Sequence, residues 1–480
     1  MKLKSGIIFL AVNLALGITV ANAGGVEFSA AVGESYQSVV VKMREGAMAH
    51  DAARVHSALN NVLSSMSWQP LDVAPLFGAT TAAPSEDRDD PRGLRRYYRI
   101  VLSEDVAADA DRINSLMVAL AARDDVELVY PDLRGIVADT PSSSRSRQPR
   151  LTSLNVQSSD YSYLQDYLYA SDAMSEGNRL GGVDFHYASR KPGGQGEAVK
   201  VVIMDRGGWD FDHPDLRTAA RKFGPYVIDR TGTATAGIIA GTNDGSGVTG
   251  IANKASVAHA SVNIENFMDM SGYLKRGDVL AITYSAAATP IAGCVTGCTL
   301  PMEYMPAWFD AIRDLTDRGV VVVESAGDSG IDLDHPDFRG RFDRAKNDSG
   351  AILAGGLCAS DGRRSPASNY GARVDSSSWS CDNVVTATFG LGTIGGGETL
   401  GYTDTHGGTV AAAAIVAGAA ASASGYALAT HLPLTGIDVR KLLTMTGTAP
   451  EGGEAAIVGT QPDLKGAFVA IDECEAELSK

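Results

Sequence analysis

His406-Gly407-Gly408-Thr409-Val410-Ala411-Ala412-Ala413-Ala414-Ile415-Val416-Ala417-Gly418-Ala419-Ala420 is the stretch on which the reading of this 480-residue chain turns. Small residues dominate it, and its larger members Val410, Ile415 and Val416 are apolar. A segment with no polar face belongs inside a protein, so a fully buried helix is predicted after Thr409. Side chains this small let neighbouring backbone come close. Two glycines and a threonine form a tight turn into the helix, whose first backbone N–H groups have no partner within the helix and favour an anion.

Outward from this helix the chain reads as two folded regions. In the larger one, Val199–Met204, Val279–Tyr284, Gly319–Glu324 and Ala351–Gly356 are short apolar strands. They alternate with helices at Ala234–Gly241 and Tyr304–Arg318, the latter with Trp308, Phe309, Ile312 and Leu315 on one face. That alternation predicts an α/β fold, a parallel sheet covered by helices on both faces. Sites in such sheets lie at the carboxyl ends of the strands, which here hold Asp205 and Ser325-Ala326-Gly327-Asp328. The strand Val279–Ser285 is expected to edge the cleft.

The region before it reads as a small α+β domain. Tyr36–Met43, Arg96–Leu102 and Val126–Tyr130 have strand character, and Ala47–Met66 and Ala107–Arg123 have helical spacing. Ala79–Arg92, polar with two prolines, reads as a loop. Thr140–Thr152 (TPSSSRSRQPRLT) is rich in Ser, Pro and Arg without periodicity and reads as a linker. Its Arg145, Arg147 and Arg150 suit a trypsin-like protease. At the start, Lys2 and Lys4, an apolar run Gly6–Val20 and Ala21-Asn22-Ala23 compose a secretory signal. The expected division is 1–23 signal peptide, 24–139 α+β domain, 140–153 linker and 154–480 main domain. The destination is secreted or periplasmic, with no membrane span once the signal is removed.

Composition limits the partners. The chain is 44% hydrophobic and 20% charged with a formal net charge of −16, which argues against nucleic acid or an anionic membrane as ligand. Of five cysteines, Cys294–Cys298 and Cys358–Cys381 are plausible local disulfides in an oxidising compartment, leaving Cys474 odd. A single C-x₃-C pair is a poor zinc site.

Four segments, in order from Val199 to the buried helix, resemble the subtilisin-like serine peptidases. Val199–Leu216 (VKVVIMDRGGWDFDHPDL) is similar to the strand and loop carrying the family's catalytic aspartate. This places Asp205 as the acid, although the loop to His213 is one residue longer and leaves Arg206 as an alternative. His213 itself is expected to be structural. Thr231-Gly232-Thr233-Ala234-Thr235-Ala236-Gly237, with Gly247-Val248-Thr249-Gly250-Ile251-Ala252, resembles the His-Gly-Thr helix start and the turn that follows. Thr231 stands at the histidine position, and a threonine hydroxyl takes no proton at neutral pH. Gly319–Asp334 (GVVVVESAGDSGIDLD) resembles the Ala-Gly-Asn segment that stabilises the oxyanion, with Asp328 for the asparagine. Gly408-Thr409 and Ile415-Val416-Ala417-Gly418 match the nucleophile's segment, with Val410 in place of serine. Ser368-Asn369-Tyr370-Gly371, Val439–Leu443 and Pro462-Asp463-Leu464 extend the likeness, the last two to the tail of some bacterial members.

The resemblance implies a propeptide role for the α+β domain, which would assist folding and cap the site. Loss of either nucleophile or base costs about 10⁶ in turnover, and loss of the oxyanion donor about 10²–10³; both figures come from the family's type member. The expectation is therefore a secreted homologue that is catalytically inactive and acts by binding peptide or protein. The alternative is an active peptidase with non-standard groups, such as Thr409 with His406, although three residues across a turn do not by themselves aim Nε2 at the hydroxyl. His259, His335 and His431 are expected to be structural. No cofactor is required. Calcium is common in the family, and Asp210/Asp212/Asp215 and Asp332/Asp334/Asp337 are its candidate ligands, with solvated surface the default.

Overall fold

The computed structural model describes residues 25–46, 49, 51–66, 68, 72–77, 90–133, 159–173, 177–381, 383–452 and 457–478. The signal (1–23), the loop centred on 79–89 and the linker (140–152) lie outside these residues.

Among the described residues, the first domain is a five-stranded sheet in the order β1-β5-β2-β4-β3. Its strands are β1 (Gly25–Val26), β2 (Tyr36–Met43), β3 (Val73–Pro75), β4 (Tyr97–Val101) and β5 (Val126–Leu133). Period-2 alternation sorts the side chains of β2. Val39, Val41 and Met43 join helices α1 (Ala52–Ser65) and α3 (Ala110–Ala121) in one core, while Val40 points to the opposite face. Both helices begin later than their apolar spacing suggested, because an aspartate defines each start. Asp51 accepts from the Arg54 N–H at 3.1 Å, and Asp109 accepts from the Arg112 N–H at 3.0 Å. The cap at Asp109 also separates a short helix, α2 (Glu104–Ala107), from what periodicity read as one helix over Ala107–Arg123.

The main domain carries a parallel sheet, seven strands among the described residues, in the order β14-β13-β12-β9-β6-β8-β7. These are β6 (Lys200–Asp205), β7 (Lys222–Phe223), β8 (Ser256–Ser261), β9 (Val279–Ile282), β12 (Val321–Ser325), β13 (Ile352–Leu357) and β14 (Ser376–Trp379). Two antiparallel ribbons flank it: β10 (Ala286–Ala288) with β11 (Cys298–Leu300), and β15 (Val384–Ile394) with β16 (Gly397–His406). Two short helices, α4 (Phe185–Ala188) and α6 (Phe267–Tyr273), join α5 (Arg230–Ala240), α7 (Pro306–Asp317), α8 (Gly408–Ala429), α9 (Gly436–Thr446) and α10 (Leu464–Leu478). One layer groups α5, α9 and α10 around α8, and α6 meets α7 through Phe267 and Trp308 in the other. Cys294–Cys298 and Cys358–Cys381 are disulfides, and Cys474 is free and exposed.

The opening stretch is α8, buried along nearly its whole length. It is long and apolar enough to cross a membrane, but here the protein's own core surrounds it. At Gly425 a Cβ would lie 2.3 Å from the Gly193 carbonyl oxygen, so only glycine lets the two backbones meet. Strand β9 ends at Ile282, three residues short of the Ser285 expected, and runs inside the sheet between β6 and β12. Among the described residues, β10 pairs with β11 alone.

Candidate functional site

Chain order reverses around β6, which lies between β8 on one side and β9 on the other, and this is where doubly wound sheets bind. Register fixes what meets there. Met204, Ile282 and Glu324 pair across β6, β9 and β12, so Asp205, Thr283 and Ser325 form the next row at the carboxyl ends. Asp205 and Ser325 are two strands apart, about 10 Å.

Asp205 is buried, 1% exposed, whereas Arg206 is exposed. The Asp205 carboxylate accepts from the Arg206 N–H at 2.7 Å, from the Thr283 hydroxyl at 2.6 Å and from the Thr235 hydroxyl at 3.2 Å. Burial pushes its pKa up to about 7, outweighing the hydroxyls and the backbone N–H, which pull it down. Thr231, at the position read as that of the histidine, is half-buried one turn before Thr235 on α5. The threonine that bonds Asp205 is therefore Thr235. The sequence shows Thr231 and Thr235 as an i, i+4 pair on one helix face, but the bond of Thr235 to Asp205 follows from how α5 packs on β6, and that of Thr283 from the sheet register.

The second half of the site is built on the start of α8. Gly408 adopts φ +74°, and its backbone N–H donates to the Ser380 carbonyl at 2.7 Å. Gly407, the residue before the helix, has no side chain to cap it. The cap comes from another segment. Asp328 Oδ1 accepts from the Thr409 N–H at 2.9 Å, and Asp328 Oδ2 accepts from the Thr409 hydroxyl at 3.0 Å. A helix N-terminus favours an anion, and this chain supplies one from its own loop. Val410 follows half-buried, a hydrocarbon at the first turn.

A run of hydroxyls joins the two halves. Thr409 Oγ1 accepts from the Gly327 N–H at 3.2 Å and lies 2.8 Å from Ser325 Oγ, which lies 3.0 Å from Ser285 Oγ. Since Thr409 donates to Asp328, the run reads Ser285 to Ser325 to Thr409 to carboxylate. These bonds do not include His406. Its Nε2 is buried without a hydrogen-bond partner, and burial lowers its pKa to about 4.

The other candidates are framework. His213 Nδ1 accepts from the Asp215 N–H at 3.2 Å and its Nε2 donates to the Gly401 carbonyl at 2.7 Å, which ties the loop after β6 to β16 as a neutral ring. His335 accepts from the Asp337 N–H, and His259 is buried in β8 beside Trp209 and Tyr226. The acidic runs tie turns: Asp210 accepts from the Asp212 N–H, Asp215 from the Val248 N–H, and Asp334 from the Ala372 N–H. Among the described residues, no three His, Cys, Asp or Glu side chains are grouped to hold a metal ion.

With this geometry in place, the Peptidase_S8 profile, described as the subtilase family, matches residues 196–460. The chain belongs to the subtilase family. Of solved structures, fervidolysin from Fervidobacterium pennivorans, described as a keratinolytic enzyme related to subtilisin, is similar with a TM-score of 0.58 at 16% identity. That likeness covers 94% of this chain and 64% of fervidolysin, and at this identity it speaks to the subtilase fold alone. A protease from Pseudoalteromonas arctica PAMC 21717 aligns at 19% identity and a TM-score of 0.45, over 65% of this chain and 99% of its own. No curated protein matches the sequence.

Proposed function

We propose that this subtilase-family protein is exported, binds an extended peptide or protein segment, and does not hydrolyse it. The observation that carries the reading is at the start of α8. A valine stands where the family's nucleophile would, and where the family has an amide donor the Asp328 carboxylate stands, already accepting from the Thr409 N–H beside it. A second negative charge there would meet repulsion in place of donors. The retained acid has no imidazole to orient, since hydroxyls satisfy it. Binding is supported by β10, which leaves one edge unpaired by any strand among the described residues, directly after Ser285. Extended segments add to such edges through main-chain hydrogen bonds.

The hydroxyl run from Ser285 to Asp328 favours the second reading, an active enzyme using non-standard groups, because it relays an alcohol proton through successive hydroxyls to a carboxylate. A single experiment separates the two. The purified protein is expected to show neither peptide hydrolysis above blank nor labelling by a fluorophosphonate probe. Thr231→His, Asp328→Asn and Val410→Ser together are expected to restore both. Labelling of the wild-type protein at Ser285 or Thr409 would overturn the inactive reading.

A further inference from the structure

One eight-residue pattern occurs twice in the chain. Asp210-Phe211-Asp212-His213-Pro214-Asp215-Leu216-Arg217 follows β6, and Asp332-Leu333-Asp334-His335-Pro336-Asp337-Phe338-Arg339 follows β12. Six positions are identical, and the other two exchange one large apolar residue for another. The copies also fold alike, bond for bond. In both, the carboxylate of the first aspartate accepts from the N–H two residues on at 3.0 Å. Its carbonyl accepts from the histidine N–H, at 3.2 Å in the first copy and 3.1 Å in the second. Each histidine Nδ1 accepts from the N–H of the third aspartate, at 3.2 and 3.3 Å, and each histidine carbonyl accepts from Leu216 or Phe338, at 3.1 and 3.0 Å. The third aspartate's Oδ2 then takes a main-chain N–H from another segment, that of Val248 or Ala292. The correspondence ends at Arg339, which turns left-handed with φ 52° where Arg217 does not.

What differs is the cover. With Nδ1 held as an acceptor, the neutral ring carries its proton on Nε2. In the first copy that proton goes to the Gly401 carbonyl of β16 at 2.7 Å, and Tyr402 stands edge-on to the ring at 5.1 Å, leaving His213 2% exposed. In the second copy the same bond imposes the same tautomer, yet the His335 side chain is 42% exposed. Its Nε2 has no partner among the described residues. Leu333 and Phe338 are buried beneath the loop, Phe338 edge-on to Tyr304 and Phe342. The loop is therefore anchored at its base and open at the imidazole.

We propose that the His335 loop is a docking site for an extended polypeptide segment of a partner protein. That segment gives a main-chain carbonyl to Nε2 and lays an aromatic side chain against the ring, as Gly401 and Tyr402 do within this chain. The first copy shows what this local fold holds when it is covered. A donor whose tautomer and position are fixed before docking loses little freedom on binding. The aromatic side chain adds apolar burial to a hydrogen bond that alone is worth only about 1 kcal/mol net. The site lies on the loop after β12 and not on the β10 edge, so it stands whether or not the cleft binds peptide.

The probe is the segment that fills the first copy. A synthetic peptide of residues 397–406 (GETLGYTDTH), blocked at its C-terminus and carrying a photoreactive group at its N-terminus, is added to the full-length protein. It is expected to bind saturably and to cross-link within residues 330–342. His335→Asn keeps an acceptor for the Asp337 N–H, and so the turn, while removing the Nε2 donor. Binding to that variant is expected to weaken by about tenfold or more, as is binding of a peptide with alanine in place of its tyrosine. Retained affinity in a folded His335→Asn protein, cross-links on Ala286–Ala288 in place of the loop, or no saturable binding would each overturn the proposal. Cross-links on Ala286–Ala288 would at the same time support peptide binding in the cleft, so the two readings fail separately.

Discussion

Asp205 sits buried at the carboxyl end of β6. A buried carboxyl beside an imidazole is held ionised. Here its neighbours are hydroxyls and a backbone N–H, and burial lifts the pKa to about 7. The folded state therefore holds a proton that the unfolded chain, at the ordinary aspartate value near 4, releases. The contribution to stability is full below about pH 4 and is lost as pH rises toward 7 and beyond. Asp205→Asn removes that dependence, so urea denaturation should show the variant gaining on wild type between pH 5 and pH 8, by at most about 3 kcal/mol. A variant that loses ground at pH 8 would mean that the ionised carboxylate supports the fold. At this scale the sequence is only half readable. Asp205, Thr231, Asp328 and Val410 stand out in the sequence because glycine-bounded motifs index them. Thr283 carries no local signal, because its contact depends on how β6 and β9 align, and the bond of Thr235 to Asp205 depends on how α5 packs on β6.

Helix α8 shows how far composition alone determines an element. Its lack of a polar face foretold burial, and its small residues foretold close neighbours, both of which the fold shows. The identity of the neighbour was not in the sequence, because Gly193 is more than two hundred residues away. Gly425→Ala would improve helix propensity by roughly 1 kcal/mol while forcing a methyl onto the Gly193 carbonyl. Overpacking against rigid backbone prevails, and a net loss of about 2 kcal/mol in unfolding free energy is expected by chemical denaturation. Element ends were less legible than element types. The caps Asp51 and Asp109 moved two helix starts, and a strand read through to Ser285 ends at Ile282, where the chain leaves the sheet for the β10–β11 ribbon.

At the scale of the whole molecule, one junction gathers several buried charges from distant elements. Arg373 is fully buried, bonded to Glu303 at 2.7 Å through two nitrogens and to Asp375 at 2.5 Å. Arg440 pairs with Asp348 through both oxygens, at 2.7 and 2.6 Å, and draws α9 to the loop before β13. Glu324, beside this cluster at the end of β12, is driven by burial and by Glu303 to keep its proton. Arg373→Met would leave Glu303 and Asp375 buried without their cation, and a loss of about 3–5 kcal/mol is expected, read as a lower midpoint in thermal or urea unfolding. An unchanged midpoint would show that the junction repacks. Arg373 and Asp375 are close in the chain, but Glu303, Glu324, Asp348 and Arg440 are far from them, so the junction was not visible beforehand. The carboxylate that closes the start of α8 has a further consequence, for any guest. Asp328 gives that helix end a partner from the chain itself, so an anion from outside would have to displace a tethered one that cannot diffuse away.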